Sequence, residues 1–177
     1  MLFSPEKISN TAGFSIRLMI ANGAVLSRLV YLVTLWGGAK LYLLKALQVQ
    51  QLNAARTVCG FQSRFWSKRK LLKRVGWLSV RQLIFFHTVL QAYKTITSEV
   101  PRPLFSALTE DTPYYRTRSV ASGNIKLREG YSSTSTFKYR AMVYYNSVPV
   151  KVKKGSLPTV KNNLKQWVLG NIPLDWG

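Results

Sequence analysis

Apolar residues recur at helical spacing through most of the first hundred positions. The stretch 14–36 is apolar on nearly all sides, which predicts one long helix or two short ones, with Gly23 as the candidate break and Gly37-Gly38 as the stop. A helix apolar all round must be buried, against the rest of the chain or another protein. The stretch 41–59 is more plainly amphipathic. Leu43, Leu44, Leu47, Ala54, Ala55 and Val58 share one side, Lys45, Asn53, Arg56 and Thr57 lie opposite, and Gly60 closes the helix. A third helix is expected over 79–97. Ser79 and Gln82 match a capping box, and no proline or glycine follows until Pro101. Its buried arc holds Phe85, Phe86, Val89, Leu90, Tyr93 and Ile96; Arg81, His87, Gln91 and Lys94 form the polar one.

The pattern changes after Pro101 and Pro103. Residues 104–135 are rich in Ser, Thr, Tyr and Gly and predict loops with short strands at most. Phe137 to Asn146 predicts a short helix ending before Pro149. Ser156-Leu157-Pro158 opens a final helix, about 158–169, with Leu157, Val160, Leu164, Trp167 and Val168 at helical spacing. The expected fold class is mostly α, with a helical region over 1–100 and a loop-rich basic region with a terminal helix over 101–177. No internal repeat is evident.

Charge alters this picture sharply. The 177 residues carry 26 Lys and Arg against 6 Asp and Glu, a formal net charge of +20. From Lys7 to Ser98 there is no acidic residue at all, while fourteen basic ones occur. Polymerases, nucleases and most hydrolases need carboxylates to hold metals or move protons, so catalysis is not expected from this half. A polyanion is the natural partner of such a surface, nucleic acid first and anionic lipid second. The hydrophobic content of 47% is too high for a disordered basic tail. A single cysteine, Cys59, excludes an internal disulfide framework and zinc fingers. At a helix end after Arg56 it is either a thiol of lowered pKa or a buried structural one. His87, the only histidine, reads as a surface residue. Glu110-Asp111 reads as turn chemistry. No metal or cofactor site is expected.

The densest basic feature is Arg64, Lys68, Arg69, Lys70, Lys73 and Arg74, six cations in eleven residues, flanked by Phe61, Phe65, Trp66 and Trp77. Cations bind phosphates without reading sequence, and aromatic faces stack on unpaired bases. Six phosphate contacts on a duplex imply a log–log salt slope of roughly −5. The competing reading is a solvated helical face whose aromatics belong to the core, the commoner fate of such rings. The nucleic-acid-binding candidates are Arg56, Arg64, Lys68, Arg69, Lys70, Lys73 and Arg74 for phosphates, with Trp66 or Trp77 for stacking. Arg116/Arg118, Lys126/Arg128, Lys138/Arg140 and Lys151/Lys153 are pairs separated by one residue, which an extended segment would turn to one face.

The N-terminus lacks the pattern of a signal peptide, since Glu6 and Lys7 interrupt its start. Leu18 to Ala39 is long enough to span a membrane, but Arg28 lies near its centre, at about 2.5–3.5 kcal/mol on insertion scales.

Several runs carry a family resemblance: Met19-Ile-Ala-Asn-Gly23 through Leu35-Trp-Gly-Gly38, Leu43-Leu-Lys-Ala-Leu-Gln48 with Asn53-Ala-Ala-Arg56, Gly76-Trp-Leu-Ser-Val-Arg-Gln-Leu83, Tyr145-Asn-Ser-Val-Pro149, and Leu157-Pro-Thr-Val-Lys161 before Trp167. As an ordered set from about Gly13 onward, this resembles the carboxy-terminal region of non-LTR (LINE-type) retrotransposon reverse transcriptases, the part after the palm. The family's catalytic carboxylates lie upstream of that region, and no Asp precedes Asp111 here. The resemblance therefore implies a non-catalytic, thumb-like and post-thumb segment gripping template and primer, RNA or DNA, with a palm supplied upstream or in trans. The sequence does not fix where the protein resides; nucleus or cytoplasm is favoured over a membrane. The alternatives are a small basic membrane-anchored protein with one span at 18–39, and a gene-model fragment without a function of its own.

Overall fold

A computed structural model describes residues 13–60, 63, 65–109, 124–125 and 136–176. These are mostly helical, with no strand among them. In chain order they form α1 (Phe14–Ala21), a π turn (Asn22–Leu26), α2 (Ser27–Val30), α3 (Val33–Trp36), α4 (Leu41–Cys59), α5 (Lys68–Val75), α6 (Val80–Ser98), α7 (Arg102–Thr109), α8 (Phe137–Ser147), a 3-10 turn (Val150–Lys153) and α9 (Leu157–Asn171).

Two compact units emerge. The first takes in the described residues up to Leu32, Lys40–Leu83 and the segment from Pro173; the second holds Val33–Ala39 and Ile84–Ile172. The division falls inside α6, whose first turn belongs to the first unit and whose remainder belongs to the second.

In the first unit, Gly23 does not break the early helix. The backbone passes through it in the π turn, and the break comes at Leu32, whose φ is 49°. The stretch 18–39 is thus divided, and no helix among the described residues is long and apolar enough to cross a membrane. Full burial of the stretch 14–36 is not observed either. Ala21 and Leu29 are buried, but Ile16, Met19 and Ile20 are exposed, Met19 at 66%.

The core of this unit joins Ala21, Leu52, Ala55, Val58, Leu71, Leu72, Val75 and Trp77. The buried face of α4 is not the purely apolar one that periodicity suggested. Leu43 is exposed, whereas Gln48 and Gln51 are buried beside Leu44, Leu52, Ala55 and Val58. Both amides are in use. Gln51 Nε2 donates to the Leu78 carbonyl at 2.8 Å, Gln48 Nε2 donates to Gln51 Oε1 at 3.0 Å, and Gln48 Oε1 accepts from the Val80 N–H at 2.8 Å. The last bond satisfies one of the N–H groups that a helix start leaves orphaned. The capping box is formed as expected. The Ser79 N–H donates to Gln82 Oε1 at 3.1 Å, and the Gln82 N–H donates to Ser79 Oγ at 3.2 Å.

In the second unit, α6 is buried on most sides. Val89, Ala92, Leu108, Met142, Val148, Val160, Leu164 and Val168 are almost wholly inaccessible. Phe85 stacks on Tyr144 with ring centroids 4.7 Å apart and meets Trp167 at 5.7 Å. Gly37 is required by closeness: a Cβ there would lie 2.7 Å from Ile84 Cγ2 and from the Val33 carbonyl. The helix α7 occupies positions where loops were expected. Pro103 sits in its first turn, where proline's fixed φ suits a helix start, and Leu108 is buried. The remainder of the expected loop region lies outside the described residues, except Asn124 and Ile125. There the Asn146 side chain accepts from the Ile125 N–H at 2.8 Å and donates to the Ile125 carbonyl at 2.6 Å. Helices α8 and α9 agree with expectation.

Two outcomes follow from this packing. Gln51→Leu orphans the Leu78 carbonyl and is expected to destabilise the protein by about 1–3 kcal/mol in a urea titration. His87 is half-buried rather than on an open surface. Burial, followed by Lys161 and Lys94, lowers its pKa from 6.5 to about 4. The unfolded chain then binds this proton below about pH 6.5 and the folded chain does not until about pH 4, so His87's contribution is complete above that window and is lost as pH falls through it. Thermal melts from pH 7 to pH 4 should fall less steeply in His87→Gln than in the unaltered chain.

Candidate nucleic-acid interface

The basic stretch folds as α5, a helix with two sharply different sides. Ser67 caps it, its Oγ accepting from the Lys70 N–H at 3.3 Å. Gly76 ends it at φ 73°, in a Schellman arrangement: the Gly76 N–H reaches the Lys73 carbonyl at 3.3 Å and the Trp77 N–H the Leu72 carbonyl at 3.0 Å. A side chain at that φ would be strained by about 1 kcal/mol or more. Leu71, Leu72 and Val75 are buried against the core, which fixes the helix's rotation. At roughly 100° per residue, Arg69, Lys70, Lys73 and Arg74 then spread over an outward arc of about 140°. All four are exposed.

The remaining candidates separate from this set. Lys68 is exposed as well but ion-paired, its Nζ 2.8 Å from Asp175 Oδ2. Arg56 is half-buried and donates to Asn53 Oδ1 at 3.1 Å. Arg64 lies outside the described residues. Two outward cations rest on aromatic rings, Lys70 over Trp66 at 4.6 Å and Arg74 over Phe14 at 4.8 Å. Such contacts hold a cation in place without neutralising it.

Neither tryptophan is an open stacking platform. Trp77 is 4% exposed, and its indole N–H donates to Asn22 Oδ1 at 2.8 Å. Trp66 is packed against the core and carries Lys70 over its ring. The aromatic displayed beside α5 is Phe65, 91% exposed.

The extended basic pairs are not present among the described residues. Lys138 and Arg140 lie on α8, where a two-residue step turns them apart, and Arg140 is buried with Nη2 donating to the Thr34 carbonyl at 2.7 Å. Lys153, in the 3-10 turn, is also buried. It donates to the Tyr145 carbonyl at 3.0 Å and to Asn124 Oδ1 at 3.2 Å, and burial lowers its pKa to about 8. Arg116/Arg118 and Lys126/Arg128 lie outside the described residues. The Cys59 thiol is not activated: burial pushes its pKa up, outweighing the pull of Arg74 and Arg17. Among the described residues no three His, Cys, Asp or Glu side chains gather where they could hold a metal ion.

The residues sequence reasoning overlooked are Asp175 and Trp176, which lie against α4 and α5. A contact across 107 positions leaves no local signal, although an acid so rare in this chain was a candidate partner for its densest basic run. Replacing Trp77 with Phe should lower stability by about 1 kcal/mol, through the lost indole bond, and leave the affinity for a DNA duplex unchanged in fluorescence anisotropy. No protein-family model, no curated protein and no solved structure matches this chain.

Proposed function

We propose that this chain is a non-catalytic nucleic-acid-binding segment that holds RNA or DNA by its phosphates through α5. The observation that carries the reading is the outward arc of Arg69, Lys70, Lys73 and Arg74, exposed and without an acidic partner among the described residues. Their stems project from a helix clamped by its buried side and by caps at both ends, so the backbone that carries them needs no ordering on binding. A phosphate backbone supplies the anions that the chain does not, and such contacts are indifferent to base sequence.

The resemblance to the region after the palm of LINE-type reverse transcriptases gives this grip a context. In that reading the chain is a thumb and post-thumb element contacting template and primer, and polymerisation belongs to a palm on another segment or chain. The exposed Ile16, Met19 and Ile20 suit a surface that such a palm would cover.

With four phosphate contacts rather than six, log K for a duplex should fall with log salt at a slope of roughly −3 to −4. The combined change Arg69→Gln, Lys70→Gln, Lys73→Gln and Arg74→Gln should weaken binding at least about tenfold for every sequence tested and flatten that slope. Anisotropy titrations on the full chain, from about 50 to 200 mM salt, measure both. Unchanged affinity in this variant would overturn the assignment.

A further inference from the structure

A cleft of about 320 Å³ opens in the first unit beside the start of α5. That volume is near the lower limit of small-ligand sites. Val49 and Leu52 of α4 contribute apolar lining, Lys45 and Lys68 two basic side chains, and Asp175 and Trp176 complete it. Gln48 also borders it, but both ends of its amide are engaged within the protein, by Val80 and Gln51. The occupant that fits combines a face that packs on apolar and aromatic side chains with an anionic end.

We propose that this cleft takes one nucleotide of an unpaired strand, its phosphate between Lys45 and Lys68 and its base against the Trp176 indole. The choice of a nucleotide rests on the function proposed above; the cleft itself does not. Asp175 marks the anion position, because its carboxylate already sits 2.8 Å from Lys68 Nζ. Both side chains of that pair are about half exposed, and exposed pairs are weak, so a phosphate can displace the carboxylate. Exchange need not release the segment carrying Trp176. Arg81 Nη1 holds the Asp175 backbone carbonyl at 2.6 Å, independently of the side chain. Stacking tolerates any base, so the cleft reads no sequence. In a duplex the bases are already stacked on one another, so the cleft discriminates for unpaired strands.

The test compares an oligothymidine strand with a hairpin duplex of equal length, titrated against the full chain at one salt concentration. Trp176→Leu should weaken oligothymidine binding at least about fivefold and leave the hairpin unchanged. Asp175→Asn should strengthen oligothymidine binding more than hairpin binding. Lys45→Gln, at an exposed position on α4, should weaken oligothymidine more than hairpin and stands in for Trp176→Leu if circular dichroism finds that variant unfolded. If these changes move both probes equally, or neither, the cleft is not a nucleotide site. Loss of both affinities in the α5 variant alone would then leave the phosphate grip standing without the cleft. Retention of both affinities in the α5 variant, with selective loss in Trp176→Leu, would instead overturn the grip and keep the cleft. An unaltered chain that binds neither probe overturns both.

Discussion

Shortage of carboxylate governs how this protein handles its charge. With a net charge of +20 and six acidic residues in all, ordinary ion pairing can neutralise only a small part of the positive surface. Cations drawn into the structure are therefore met by neutral oxygens and ring faces. Arg140 reaches the Thr34 carbonyl, Arg81 the Asp175 backbone carbonyl, and Lys153 the Tyr145 carbonyl and the Asn124 amide. Lys153 also sits 4.1 Å from the centre of the Tyr145 ring, as Lys70 does over Trp66 and Arg74 over Phe14. These contacts relieve desolvation without cancelling charge, so the molecule keeps its positive field.

Where that field is concentrated is a matter of packing. Leu71, Leu72 and Val75 lock one side of α5 into the core, and the cations on the other side have nowhere to go but outward. The caps at Ser67 and Gly76 keep the helix short, so that its charge density stays high. Asp175, which lies against the same helix, engages Lys68 and leaves the outward arc untouched. The polar side chains of Gln48 and Gln51 do comparable work inside the first unit. They tie α4 to the backbone at Leu78 and Val80, where hydrophobic contact alone would leave a helix start unsatisfied.

Much of the helical layout was legible in the chain. The capping box at Ser79 and Gln82, the terminal helix with Val160, Leu164 and Val168 on its buried side, and the stop at Gly60 all follow from short-range spacing. Misreadings came where the deciding partner was distant. The apolar face assigned to α4 included Leu43 and left out Gln48 and Gln51, which are buried because Leu78 and Val80 are brought beside them. Trp77 looks like a stacking ring until the core of the first unit buries it. Pro101 and Pro103 look like the end of regular structure, although Pro103 suits the first turn of α7.

The candidate site divides along the same line. Sequence alone determined that the surface would be strongly basic, that the first half could not offer metal-binding carboxylates, and that the charge would peak between Arg64 and Arg74. Those are properties of composition and local order. Only the tertiary structure decided which cations remain outward, because burial of a helix face fixes the direction of every other side chain on it. Only the fold, too, could bring Lys45, Lys68 and Trp176 around one cleft, since that arrangement depends on residues far apart in the chain.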